Sequence, residues 1–349
     1  EKLSVKDKKI GTLLGSKQGV WIEISQLEEE LLAKIPELEL TITAGKSGRW
    51  SATFSDLAKL HDRSPVLQRY KVDSGNVTVW SPNGEKPFSF SSVIPYVYPV
   101  LIKDGKKVDR LLISGTITDH GFEGMVNESL QLNYTDTLAI TSKDIQYNIP
   151  AIKNLLKDQP VLREEDDTGN PGLKLSFRAE NSSLVFTDKI QALADEIHLD
   201  HAGGKTVGHL HHGPGSIELS YTDGQFSLEG HDLNDEFMGG LLRGGGCING
   251  RMSLAAQGTP YMATALFKVD DTVLMDFKPL NNILAFINTV PALITFSPQE
   301  YSTKGLPVSS AVTGLVFDGT VATIESFSLK SPVITMNAVS YTHLTLPTT

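Results

Sequence analysis

Short runs that alternate apolar and polar residues, many closed by an Asp-Gly or Asn-Gly pair, constrain this chain more than any other feature. GNVTVW (Gly75–Trp80), LLISGTI (Leu111–Ile117), LQLNY (Leu130–Tyr134), LKLSF (Leu173–Phe177) and IELSY (Ile217–Tyr221) all alternate. Phe226–Leu228, Met252–Leu254 and Leu315–Phe317 continue the trend. Successive side chains of a strand point to opposite sides, so each run reads as a strand with one buried side. Asn83-Gly84, Asp104-Gly105, Asp223-Gly224, Asn249-Gly250 and Asp318-Gly319 supply the positive φ that tight hairpins need. The pattern predicts an all-β chain, mainly antiparallel.

Helical patches are few. Leu27–Ile35 (LEEELLAKI) sets Leu27, Leu31, Leu32 and Ile35 on one helical face and ends at Pro36. Asp56–Leu67 and Pro150–Asp158 are short candidates. Pro279–Phe296 is the longest, kinked or ended at Pro291. Tyr134-Thr135-Asp136 recurs 87 residues later as Tyr221-Thr222-Asp223. Each copy has a strand, a turn, a second strand, a polar step at Asp144 or Asp232, then a candidate helix. A weaker third copy begins at Leu315. Repeated hairpins suggest stacking along one axis, an elongated arrangement in place of a closed globule. The expected organisation is an N-terminal β-rich segment over 1–162, an acidic loop over 163–171 and a second β region over 172–338.

Charge and composition narrow the function classes. The formal net charge is −10, which argues against sequence-independent nucleic-acid binding. One cysteine, Cys247, rules out a disulfide framework and Cys-rich metal sites. No run of about 18 apolar residues is present. Glu164, Glu165, Asp166 and Asp167 are consecutive, so they lack the alternate spacing of a calcium loop and read as a solvated turn. Gly244-Gly245-Gly246 lacks the Lys-Ser/Thr of a phosphate loop and leads into a strand, so Cys247 reads as a small buried hydrophobe. His198, His201, His209, His211, His212 and His231 cluster. On a strand, His209 and His211 would share a face, and Asp195, Glu196 and Asp200 could add oxygen ligands. This is the weak metal alternative, a metal-dependent hydrolase. No catalytic set and no cofactor are expected otherwise.

The last hundred residues carry a resemblance. A Gly-rich strand pair (LLRGGGCINGRMSLAAQGTP) is followed by Asp270-Asp271, the stretch PLNNILAFINTVPALITFSP, YSTKGLPVSSAVTGLVFDG and strands ending LKSPVITMNA. This order resembles the C-terminal region of AsmA-like proteins, the YhdP/TamB type of Gram-negative envelope protein. The resemblance implies a sheet curled into a repeating β-groove, with a few short amphipathic helices. It also implies a periplasmic location, a tether to the inner membrane in the full-length protein, and passage of phospholipid toward the outer membrane. The final segment, Val339–Thr349 (VSYTHLTLPTT), resembles a translated sequencing adapter, which would place the end of native sequence near Ala338.

A lipid conduit must offer continuous apolar lining. Removing a sixteen-carbon chain from water is worth about 12 kcal/mol at about 0.8 kcal/mol per methylene. The expected lining residues share a face within each hairpin: Leu130, Leu132 and Tyr134; Ile217, Leu219 and Tyr221; Leu315 and Phe317. Their expected partner is the phospholipid acyl chain, handled without catalysis. A structural or adhesive β-repeat module is the alternative, with these residues packed in a filled core.

Overall fold

The computed structural model describes residues 2–9, 19–63, 74–95, 98–158, 174–187, 190–235, 237, 247–259, 261–274, 305–318, 321–332, 334–338 and 342–345. The chain divides into two compact units, residues 1–178 and 179–349. It is mostly β, mainly antiparallel, and its sheet is open, not closed into a barrel.

The first unit contains β1 (Lys2–Asp7), β2 (Val20–Leu27), β3 (Glu30–Ile35), β4 (Leu40–Gly45), β5 (Trp50–Phe54), β6 (Asn76–Ser81) and β7 (Phe88–Pro95). It continues with β8 (Leu101–Lys103), β9 (Lys106–Lys107), β10 (Arg110–Ile117), β11 (Phe122–Val126), β12 (Leu130–Tyr134), β13 (Leu138–Lys143) and β14 (Gln146–Asn148). β15 (Leu175–Thr187) holds the point of division. Strands β1 to β7 each pair with the next, β7 pairs with β10, and β10 to β13 extend the meander. β8 makes a side branch with β9 and β14.

The second unit contains β16 (Ile190–Ala202), β17 (Lys205–His212), β18 (Gly215–Thr222), β19 (Gln225–Leu233), β20 (Cys247–Ile248) and β21 (Arg251–Gly258). β22 (Ala263–Leu274), β23 (Leu306–Phe317), β24 (Val321–Lys330), β25 (Thr335–Ala338) and β26 (Thr342–Thr345) complete it. The ladder runs β16–β17–β18–β19–β21–β22–β23–β24, and β24 carries β25 on one half and β26 on the other.

Two of the Asx-Gly pairs make two-residue hairpins, whereas Asn83 has no positive φ and lies in the longer connection between β6 and β7. Asp104 and Gly105 have φ of 52° and 72°, and Asp223 and Gly224 have 52° and 78°. Both residues of each pair sit in the left-handed region that two-residue hairpins require. The related segments share a further device. Asp144 and Asp232 both have positive φ, 57° and 47°, where each second strand ends or bulges. In each, an Asn then caps a helical turn: Asn148 Oδ1 accepts from the Ala151 N–H, and Asn234 Oδ1 from the Phe237 N–H. The turns of the two copies differ in length. Tyr134 pairs with Leu138, whereas Thr222 pairs with Gln225.

One expected helix is a hairpin instead. Leu27–Ile35 forms the end of β2, a turn at Glu28-Glu29, and β3. Glu28 takes φ 46°, Leu27 pairs with Glu30, and β3 pairs along its length with β4. Two neighbouring ladders outweigh the helical propensity of a short Leu/Glu run. Asp56–Leu67 yields one turn, α1 (Ala58–His61), and Pro150–Asp158 lies in α2 (Ile149–Asp158). Pro279–Phe296 and the acidic run 163–171 lie outside the described residues.

Each unit buries one end of its strands. In the first, Val20, Ile35, Leu38 and Leu40 form a cluster against Ile22, Ile42, Ala52 and Phe54. Leu57, beside α1, and Ala151 of α2 are buried, as are Leu101, Ile145 and Tyr147. In the second, Leu274, Leu306, Val308, Ala311, Leu329 and Met336 cluster, and Leu233, Phe237 and Met252 are also buried.

Candidate functional site

Directly opposed residues of an antiparallel pair project to the same side of the sheet. A side can therefore be followed from strand to strand through its register. In the first unit one such row reads Leu3, Ile24, Ala33, Ile42, Ala52, Val79, Phe90, Gly115, Gly124, Leu132, Ile140. It crosses eleven strands without a polar residue. At a strand spacing of about 4.8 Å its contour is about 48 Å. The row on the opposite side, one residue along, reads Ser4, Glu23, Lys34, Thr41, Thr53, Thr78, Ser91, Ser114, Met125, Gln131, Thr141. Met125 is its one apolar member.

The apolar row is not a filled core. Leu3 is 59% exposed and every other member is half-buried. The burial lies one row lower, at Ile35, Leu40 and Val126. One row higher, Gln26, Leu31 and Ala44 follow one another across β2 to β4, and from β5 onward the side chains turn aromatic. Trp50 meets Phe88 edge-on at 5.3 Å, and Phe122 stacks on Tyr134 at 5.6 Å. Phe88, Ile117, Phe122, Tyr134 and Leu138 follow one another in register. From β5 to β13 the apolar side thus grades from mostly buried, through half-buried aliphatic, to aromatic near the hairpin tips.

Glycine deepens the row at one point. Gly115 and Gly124 face each other, and a Cβ on Gly115 would lie 2.2 Å from the Glu123 carbonyl oxygen and 2.9 Å from the Phe90 ring. The two strands approach there closer than any side chain allows.

The second unit repeats the arrangement. Leu199, Gly208, Leu219, Leu228, Ala256, Ala265, Leu315 and Ile324 are successive partners across eight strands. All but the buried Gly208 are half-buried. Tyr221, Phe226, Gly258, Ala263 and Phe317 form the row above. Glu218, Glu229, Ser220, Ser227, Gln257 and Thr264 lie on the other side.

The residues singled out from the sequence fall into these layers. Leu132, Leu219 and Leu315 are in the aliphatic rows, and Tyr134, Tyr221 and Phe317 in the aromatic ones. Leu130 and Ile217 stand on the buried side of their rows, Leu130 opposite Val126 and Ile217 opposite Leu210. The sequence reading missed the contribution of β2 to β7: Ile24, Ile42, Val79, Phe90 and the aromatics Trp50 and Phe88. Alternation in VWIEISQL and FSFSSVIP was the available signal. The helical spacing of Leu27–Ile35 hides the continuity of those strands.

The histidines are split between the two sides. Glu196, His211, Ser216 and His231 form one row of the polar side, and His198, His209, Glu218 and Glu229 the next. His198 Nε2 lies 2.6 Å from Glu196 Oε1. His201 and His212 face the other way. His201 Nδ1 contacts Thr206 Oγ1 at 2.9 Å and His212 Nδ1 contacts Asp195 Oδ1 at 3.0 Å. The Gly213 N–H, donating to Asp195, and His212 beside it hold that carboxyl below the usual aspartate range. His209 and His211 do share a face, yet among the described residues no three His, Cys, Asp or Glu side chains converge as metal ligands. Gly244–Gly246, the carboxylates Glu164–Asp167 and the side chain of Cys247 lie outside what is described.

Among the described residues no helix is long and apolar enough to cross a membrane. No family model, curated protein or solved structure matches the chain.

Proposed function

We propose that this chain is a non-enzymatic lipid-handling protein whose half-exposed apolar rows hold phospholipid acyl chains. One observation supports the reading above the others: an unbroken apolar row crosses eleven strands of the first unit and none of its side chains is buried. Single exposed apolar side chains are ordinary on a protein surface, whereas a contiguous row of them marks an interaction surface. The contour of about 48 Å exceeds the half-thickness of a hydrocarbon core, about 15 Å, so a whole acyl chain has room along it. The resemblance to AsmA-like proteins adds the wider setting. In that setting the chain is part of a bridge between inner and outer membranes, periplasmic and tethered to the inner membrane in the full-length protein.

Mass spectrometry of organic extracts tests this, on protein purified from a Gram-negative periplasm. Near-stoichiometric phospholipid is expected. Leu132→Asp and Leu219→Asp put a carboxylate into each row, and each should lower lipid occupancy by at least about tenfold while circular dichroism stays unchanged. A folded chain that carries no lipid sinks the reading and favours the structural β-repeat module.

A further inference from the structure

In the first unit the aromatic row does not end at water directly. Five hairpin tips stand at this end of the strands: Glu28-Glu29, Lys46–Arg49, Pro82–Pro87, Thr118–Gly121 and Thr135–Thr137. They are tied sideways by ion pairs. Arg49 pairs with Glu30 across Gly45 on the polar side of the sheet, whereas Lys86 pairs with Asp119 at 2.5 Å and Lys174, beside the last tip, with Asp136 at 3.7 Å. All six side chains are exposed. The polarity therefore climbs in one direction, from aliphatic through aromatic to paired charges of both signs. An amphiphile has the same profile, with aromatic rings favoured at its apolar–polar boundary.

We infer that these tips form a headgroup rail, on which a diacyl amphiphile with a zwitterionic, ammonium-and-phosphate headgroup rides while its chains lie on the row below. The inference rests on the acyl-binding reading and specifies the ligand of that same site. Charge decides the class. Apart from the Arg49–Glu30 pair, the tips and Lys174 carry three cations, Lys46, Lys86 and Lys174, against five carboxylates, Glu28, Glu29, Glu85, Asp119 and Asp136. A net anion meets an excess of like charge there. A zwitterion can place its phosphate on a lysine and its ammonium on the carboxylate that cation leaves. Exposed pairs are worth little individually, so the exchange costs little at each step. That suits movement from one tip to the next better than fixed capture.

Calorimetric titration of the delipidated full chain tests the rail, with three water-soluble short-chain probes that share the same acyl chains. These are a phosphatidylcholine, a phosphatidylglycerol and a diacylglycerol. The zwitterion should bind about tenfold tighter than the anion at low salt, with the gap closing near 1 M salt, where the screening length is about 3 Å. The Asp119→Lys, Asp136→Lys double variant, checked for folding by circular dichroism, should reverse the preference. Equal binding of the probes, or preference for the anion by the unaltered chain, overturns the rail and leaves the acyl-binding reading standing. A folded chain that binds none of the three overturns both.

Discussion

Asp119 shows how little an exposed contact must weigh to be informative. The Lys86 ammonium donates to its carboxylate and holds its pKa below the ordinary aspartate value of 3.8. A depressed folded pKa means that the pair's contribution is present above the unfolded pKa and is lost as pH falls through the lower folded one. Carbon-detected NMR titration should therefore find the Asp119 midpoint below 3.8, moving back up in Lys86→Met. An unshifted midpoint in the unaltered chain would mean that the tips are not tied in solution. Other residues shape the sheet by what they lack or hide. Gly115 and Gly124 could not carry side chains where they stand, and Ser81, 1% exposed and paired with Trp50, satisfies its hydroxyl on the Glu85 carbonyl at 2.9 Å.

At the scale of elements, the closed side of the first unit depends on how α2 is started. Asn148 accepts from the Ala151 N–H at 3.4 Å, donates through Nδ2 to the Pro99 carbonyl at 3.1 Å, and donates through its backbone N–H to the Val100 carbonyl at 2.8 Å. One buried side chain thus ties the helix start to the loop before β8. Asn148→Ala should destabilise the chain by about 1–2 kcal/mol in urea unfolding, through the lost cap and a stranded carbonyl. Asn148→Asp keeps the cap acceptor and should lie between the two. Equal midpoints for all three would show that the segment is held by packing alone. The same scale explains the misread helix. Over nine residues, LEEELLAKI satisfies helical spacing and also supplies two strand ends around a turn. Local pattern does not separate them; the ladders with β2 and β4 do.

Over the whole chain, an apolar row that binds by burial has a measurable signature. Each methylene is worth about 0.8 kcal/mol, so shortening both probe chains should weaken binding by roughly fifteenfold for every two methylenes removed from water. Affinity independent of chain length would place the binding energy elsewhere, at the headgroup alone. On the polar side the Thr53 and Thr78 hydroxyls are 3.1 Å apart and Thr141 donates to Gln131 at 3.3 Å, and the exposed Trp21, Leu112 and Met125 stand among them singly rather than as one continuous row.

Alternation and Asx-Gly pairs in the sequence determined by themselves that this chain is antiparallel β, where many of its strands lie, and that Leu130, Leu132 and Tyr134, or Ile217, Leu219 and Tyr221, share a side. Period two and positive φ are properties of a few adjacent residues, so they can be read locally. Only the tertiary structure decided that Leu3 and Ile140, 137 residues apart, belong to one row, because that depends on the register of ten successive strand pairs. It alone decided that the row stays half-exposed while Ile35 and Leu40 are buried, since burial depends on what packs above a strand. It alone brought Lys86 to Asp119 and Arg49 to Glu30, because charges on different hairpins meet only once the strands beneath them are paired.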